Sequence, residues 1–416
     1  MKHSTKKRWN AVSAIAAGVA LIATGCSSDN SDSIGGEVDL SVLGTQNQAS
    51  GEPIEIVLAT TGPKAAAFTH EGEAATAAVS YLNEYLGGIN GRPIKLTICE
   101  DELQVSLARA CANKAVGSDA VAVVSGAPSS PDPVAGVTSP AGLPFVVFAG
   151  GGQQTISLPN TYVLANSLAG LIGVPAFYAK DKGFQKVAVL AIDAPIATAP
   201  LKALGPAVFA KAGVQMDLVA VPPGTADMTP QIQAAEKNGN QLFQIIGDAA
   251  FCTSALKAMR TLNIDKPVTT VSACLGGADA ASQIPGGYEG INVAISHSPN
   301  TKDEDYKIFH AALTKYSAGV GDDGASAYMA ILALQRTLNG MQGAIDRTTV
   351  AARLSAMQEP QVLPLFGGAT FQCGTKPVAI APNICSAAAL VGTANEDGTI
   401  SDAKTVDVSA FFTSGT

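Results

Sequence analysis

Seven cysteines are the residues of this chain whose spacing most directly implies chemistry: Cys26, Cys99, Cys111, Cys252, Cys274, Cys373 and Cys385. Cys26 closes the tetrapeptide Ala23-Thr24-Gly25-Cys26, behind Lys2, Lys6, Lys7 and Arg8 and the apolar run 11–23. A basic head, a short apolar stretch and small residues at its end make a secretory signal, too short to span a bilayer comfortably. The tetrapeptide has the pattern of a bacterial lipobox, in which the signal is cut before a cysteine that carries lipid. A buried methylene contributes about 0.8 kcal/mol, so several acyl chains on Cys26 would hold the protein at a membrane surface outside the cytoplasm. The other six cysteines form an even set, as an oxidising compartment allows. Their spacing suggests three local bridges, Cys99–Cys111, Cys252–Cys274 and Cys373–Cys385, although sequence alone leaves other pairings open. Each bridge would be worth about 3 kcal/mol in the chain-entropy model.

Constellations for catalysis are missing. His70, His297 and His310 follow the signal, and no GxSxG, HExxH or P-loop motif surrounds them, so an enzyme is not expected. No CxxC or Cys/His cluster points to a metal, and no cofactor is expected. The net charge is −8, with no basic block after the signal, which argues against a nucleic-acid partner. Hydrophobic residues make up 47% of the 416 and charged residues 14%, ample for a large core. No later apolar run is long and continuous enough for a transmembrane helix.

The elements that would position these residues alternate. Strands are predicted over 54–59, 94–99, 120–124 and 145–148, with helices over 73–86 and 106–116 and one more between the last two strands. The alternation restarts at 186–192 and continues through strands at 214–221, 242–247, 267–271 and 290–294, with helices over 201–212, 229–238 and 254–262. Two long helices, over 303–316 and 325–339, precede a tail of turns and short strands. Continuous apolar strands separated by helices mean parallel sheets covered on both faces. Two such runs predict an α/β fold of two doubly wound lobes, with a ligand at the carboxyl ends of the strands.

Gly87-Gly88-Ile89-Asn90-Gly91-Arg92-Pro93-Ile94 resembles the helix-to-strand turn of type I periplasmic binding proteins, more narrowly the branch that binds branched-chain amino acids. Glu100-Asp101, Ser125-Gly126 with Ser129-Ser130, and the segment 221–227 agree in order, so the resemblance runs from Ile54 to about Asn339. It implies a Venus-flytrap receptor whose two lobes, joined by a hinge, close on a small molecule and then dock on an ABC transporter permease. The expected organisation is a signal at 1–25, a flexible tether at 26–51, a first lobe from 52–168 plus 296–345, and a second from 169–295 plus 346–416. A monomer is expected. A receptor that signals to a partner instead of feeding a transporter is the alternative.

The resemblance also implies where a ligand would touch. Ser129 and Ser130 stand where the family's third loop holds a carboxylate, and hydroxyls beside free N–H groups at a helix start suit an anion. The plain alternative is a helix cap. Gly150 and Gly151 would allow close backbone approach, and Gln153 replaces the expected hydroxyl of the next loop. Phe68 falls near an aromatic that covers the ligand in relatives, or packs on a lobe surface. In the second lobe, Cys274 lies where relatives carry an acid for an ammonium group, and Asp193 or Asp248 would replace that acid or cap a helix. Ile196 sits among small apolar residues where Tyr-Gly is usual. A roomier, less polar second wall makes a hydrophobic or aromatic carboxylate as suitable a ligand as a branched-chain amino acid.

Overall fold

The aliphatic run β1 (Ile54–Thr60) is almost wholly buried, as a strand between two helix layers must be. In the computed structural model, which describes residues 38–63, 70–128, 130–150, 152–317 and 322–413, it lies inside a parallel sheet. Helix α1 (Glu71–Tyr85), β2 (Ile94–Glu100), α2 (Val105–Val116), β3 (Ala122–Ser125), α3 (Pro131–Thr138), β4 (Phe145–Val147) and β5 (Thr161–Val163) follow in chain order. The sheet runs β2-β1-β3-β4-β5, with Leu58 opposite Ile98 on one side and Val124 on the other. Strand order reverses about β1, which opens a crevice at the carboxyl ends of β1 and β3. The turn into β2 needs backbone that side chains resist. Gly87 and Gly88 have φ of +70° and +65°, and a Cβ on Gly88 would strike the carbonyl of Arg92.

The pattern then repeats. Helix α4 (Val174–Asp181), β6 (Lys186–Ile192), α5 (Pro195–Lys211), β7 (Gln215–Val221), α6 (Thr229–Lys237) and β8 (Leu242–Ile246) start a second sheet. Helix α7 (Ala249–Thr261), β9 (Val268–Val271), α8 (Gly277–Ala281) and β10 (Asn292–Ala294) continue it, giving the parallel order β7-β6-β8-β9-β10. The chain returns to the first sheet with α9 (Glu304–Tyr316), α10 (Ala325–Leu338) and α11 (Arg347–Ser355). A short ribbon, β11 (Gln361–Val362) with β12 (Thr370–Phe371), leads to the hairpin β13 (Ala388–Ala394) and β14 (Ile400–Asp407), which extends the second sheet antiparallel to β10. The α/β class and the two doubly wound sheets are as the alternation predicts.

Alanine sets the first core. Ala74, Ala77 and Ala78 of α1 and Ala327 and Ala330 of α10 are fully buried, so the two helices pack closely with little side-chain entropy to lose. Cys99–Cys111, Cys252–Cys274 and Cys373–Cys385 are bonded, the pairing that spacing suggests. Among the described residues no helix is long and apolar enough to cross a membrane. The segment 1–37, with the expected signal and Cys26, lies outside them.

Several boundaries differ from expectation, each for a physical reason. The stretch before Ile54, expected to be a flexible tether, is ordered from Val38. Asp39 caps a 3-10 turn over Leu40–Leu43, Leu43 is buried in the first core, and the N–H groups of Asn47 and Ala49 donate to the carbonyls of Glu84 and Asn83. Three aliphatic side chains within a polar stretch suffice to dock it. Helix α5 starts at Pro195 and not at 201, because proline at the first position gives up no helix bond and Pro200 and Pro206 are carried inside. The segment 346–416 divides: Val350 and Leu354 of α11 join the first core, whereas β13 and β14 join the second sheet.

Candidate functional site

A cavity of about 620 Å³ lies where the loops after β3 and β4 face the start of α5. Ala127, Pro128, Ser130 and Asp132 line it from the loop after β3 and the first turn of α3. The loop after β4 contributes Ala149, Gly150, Gly152 and Gln153. The crossover after β5 adds Ser167, Leu168 and Leu171, and α5 adds Ala199 and Pro200. Most of these groups are apolar, and among the described residues no lysine, arginine or histidine lines the cavity. Such a site suits a molecule with an apolar body and a few hydrogen-bonding atoms. A second cavity, of about 160 Å³, shares Ala149 and Ser167 with the first and is also lined by Ser272 and Ser296, beyond β9 and β10.

Local sequence explains the polar end. Ser130 is the N-cap of α3, yet its hydroxyl makes no capping bond. Pro131 and Pro133 carry no N–H, so this helix start offers fewer donors to an anion than an ordinary one. Between them stands Asp132, whose Oδ1 accepts from the Thr155 N–H at 2.8 Å and the Thr155 hydroxyl at 2.7 Å. Those bonds fasten the loop after β4 to α3, and the carboxylate gives the cavity a negative end that favours a cation or a donor. Beneath Ala127 lies a second acid, Glu71, fully buried in the first turn of α1. Burial, the largest cause, pushes its carboxyl group up to about 7. Among the described residues no group of three or more His, Cys, Asp or Glu is placed to hold a metal ion.

Of the residues singled out from sequence, Ser130, Gly150 and Gln153 come together on this cavity. Phe68, Ser129 and Gly151 lie outside the described residues, as does the side chain of Ile196. The second-lobe candidates are elsewhere. Asp248 is exposed and caps α7, accepting from the Phe251 N–H at 2.8 Å, the helix-cap alternative. Asp193 is exposed at the end of β6 and does not line the cavity, nor does it cap α5, whose N-cap is Ala194. Cys274 is buried, with its sulfur bonded to Cys252, and lines neither cavity. Asp132, Ser167 and Leu171 line the cavity without being marked in the sequence as candidates. The Pro-Asp-Pro at a helix start was the available signal for the first; the three-residue β5 hid the crossover that carries the other two.

Residues 54–380 match a protein family described as periplasmic binding protein. No curated protein matches the chain by sequence. Among solved structures, a Desulfitobacterium hafniense ABC transporter substrate-binding protein in complex with Leu is similar at 18% identity and a TM-score of 0.66, over 84% of this chain and 99% of that one. The branched-chain amino acid transporter substrate binding protein LivJ from Streptococcus pneumoniae, in complex with isoleucine, is similar at 17% identity and a TM-score of 0.63, over 86% and 100%. A solute binding protein of an ABC transporter from R. palustris, in complex with 4-hydroxybenzoate, is similar at 17% and 0.65, over 86% and 97%.

Proposed function

The chain belongs to the periplasmic binding protein family, and from that premise we propose that it is the extracytoplasmic solute-binding lipoprotein of an ABC importer, tethered through lipid on Cys26. It captures a small, largely apolar organic molecule between its two sheets and presents it to the transporter permease. The observation that carries this reading is the cavity itself. It lies at the carboxyl edge of one parallel sheet, is walled on its far side by α5 of the other, and is lined mainly by apolar groups with Ser130, Asp132, Gln153 and Ser167 as polar exceptions. Closure about the crossovers would add contacts from both sides, which is what a ligand-driven hinge requires.

Two ligand classes suit the cavity, and similar structures hold one of each. A branched-chain amino acid is favoured by Asp132, a carboxylate placed to meet an ammonium group. An aromatic carboxylate is favoured by the apolar wall of Leu168, Leu171, Ala199 and Pro200. Isothermal calorimetry with leucine, isoleucine, benzoate and 4-hydroxybenzoate tests the proposal: one class binds saturably with one site per chain. Failure of all four, with the melting temperature equally unmoved, would sink the assignment to these classes. Globomycin treatment of the producing cell, followed by the mass of the mature N-terminus, tests the lipid on Cys26. An unmodified N-terminus elsewhere than at Cys26 overturns that part.

A further inference from the structure

We propose that Glu71 is the positioning residue for the cleft-lining loop of the first sheet, its buried carboxyl group fastening the loop after β3 to the end of β1. The Ala127 N–H donates to Oε1 at 2.8 Å, and the Thr60 hydroxyl donates to Oε2 at 2.6 Å. The Thr60 oxygen in turn accepts from the Gly62 N–H at 3.4 Å, a longer bond that extends the chain of contacts into the loop after β1. Residue 126 must be glycine for this to work. A Cβ there would collide with Oε1 and lie 2.7 Å from the backbone nitrogen of Ala327. Ala127 lines the cavity on one side and is held by Glu71 on the other, so the acid sets the floor on which a ligand rests. The proposal rests on that cavity being the ligand site, but its test below uses no ligand.

The surroundings make this fastening sensitive to protonation. Asp101, after β2, and Asp323, before α10, both disfavour charge on Glu71. Asp323 is itself paired with His70 Nδ1 at 2.7 Å, and the side chain of Glu100 packs near Gly62. Among the described residues Glu71 hydrogen-bonds to Thr60 and Ala127, neither of them a cation. A protonated Glu71 keeps both contacts, since Oε1 still accepts from Ala127 and the new O–H can donate to Thr60. The folded pKa is raised from 4.5 to about 7. The closed loop therefore binds more protons than an opened one, and its stability is fully present below pH 4.5 and is lost as pH rises through about 7. The ceiling of that effect is about 300-fold in the opening equilibrium.

Hydrogen–deuterium exchange of the ligand-free mature protein, from pH 5 to 8.5 and corrected for intrinsic rates, reads the loop directly. In the native protein, protection over 122–135 falls by about tenfold or more as pH rises through 7. Glu71→Gln can keep both contacts without a charge, so it stays protected with no step. Glu71→Ala leaves the Ala127 N–H without an acceptor and loses about tenfold or more at every pH, while β8 in the other sheet is unchanged. If Glu71→Ala unfolds, Thr60→Val removes a single contact and loosens the same segment by about fivefold. A pH step retained in Glu71→Gln, or protection over 122–135 unaltered in both Glu71→Ala and Thr60→Val, overturns the proposal.

Discussion

The two sheets secure the loop after β3 and the turn after β9 by different means. In the first, the loop after β3 is held by one buried acid that accepts from Ala127 and Thr60. In the second, the turn after β9 is bolted to α7 by Cys252–Cys274, and Asp248 is spent on the cap of that helix. The loop after β3 is fastened by hydrogen bonds that a proton can alter; the turn after β9 is fastened covalently, as the end of β2 is by Cys99–Cys111. The polar atoms follow the same division. Ser130, Asp132 and Gln153 reach the cavity from the first sheet, whereas α5 brings Ala199 and Pro200. On the proposed function, recognition would be concentrated on the first sheet's side, with the second sheet supplying an apolar wall.

The largest effect should come from breaking the covalent fastening. Cys252→Ala with Cys274→Ala removes a bridge across a 22-residue separation and should cost about 3 kcal/mol. Urea unfolding followed by a second-sheet probe measures it. A loss below about 0.5 kcal/mol would mean that the packing of Phe251, Tyr288 and Ile284 holds the turn without the bridge.

How far this contrast could be read from the sequence depends on the kind of residue. The alternation of apolar runs and helices announces both sheets, because buried parallel strands leave an unbroken aliphatic signature. The bridges follow from cysteine spacing within each local unit. Glu71 and Asp132 were not legible. An acid in the first turn of a helix looks the same whether it meets water or a buried loop, and only the fold brings Ala127 over Glu71 or Thr155 to Asp132. The docking of 38–51 was hidden for a similar reason: Leu43 sits in a stretch whose composition reads as tether. In the sequence Pro200 has the character of a stop signal, although the packed helix α5 carries it.

A smaller effect should show which ligand the first sheet's side recognises. Asp132→Asn removes the negative charge while leaving an oxygen for Thr155. If the ligand carries an ammonium group, isoleucine should bind about tenfold more weakly to the variant, a loss of about 1.4 kcal/mol. If the ligand is an aromatic carboxylate, the repulsion disappears, and 4-hydroxybenzoate should bind equally well or more tightly. Calorimetry on the two proteins with both compounds separates these outcomes. Weaker binding of both to a similar degree would mean that Asp132 acts through the Thr155 contact, by positioning the loop after β4.

The smallest effect tests whether the second sheet's acids stand apart from recognition. Asp248 lies beyond the end of β8, from where it could replace the acid that relatives carry at the place of Cys274, but its Oδ1 already accepts from the Phe251 N–H. Asp248→Ala should therefore cost about 1 kcal/mol of stability through the lost cap, and calorimetry should find ligand affinity unchanged within about twofold. The two readouts must move independently for the contrast to hold. A tenfold loss of affinity with little change in melting would place Asp248 at the ligand when the sheets close. Charge recognition would then be shared between the two edges, and the second sheet would be more than a wall.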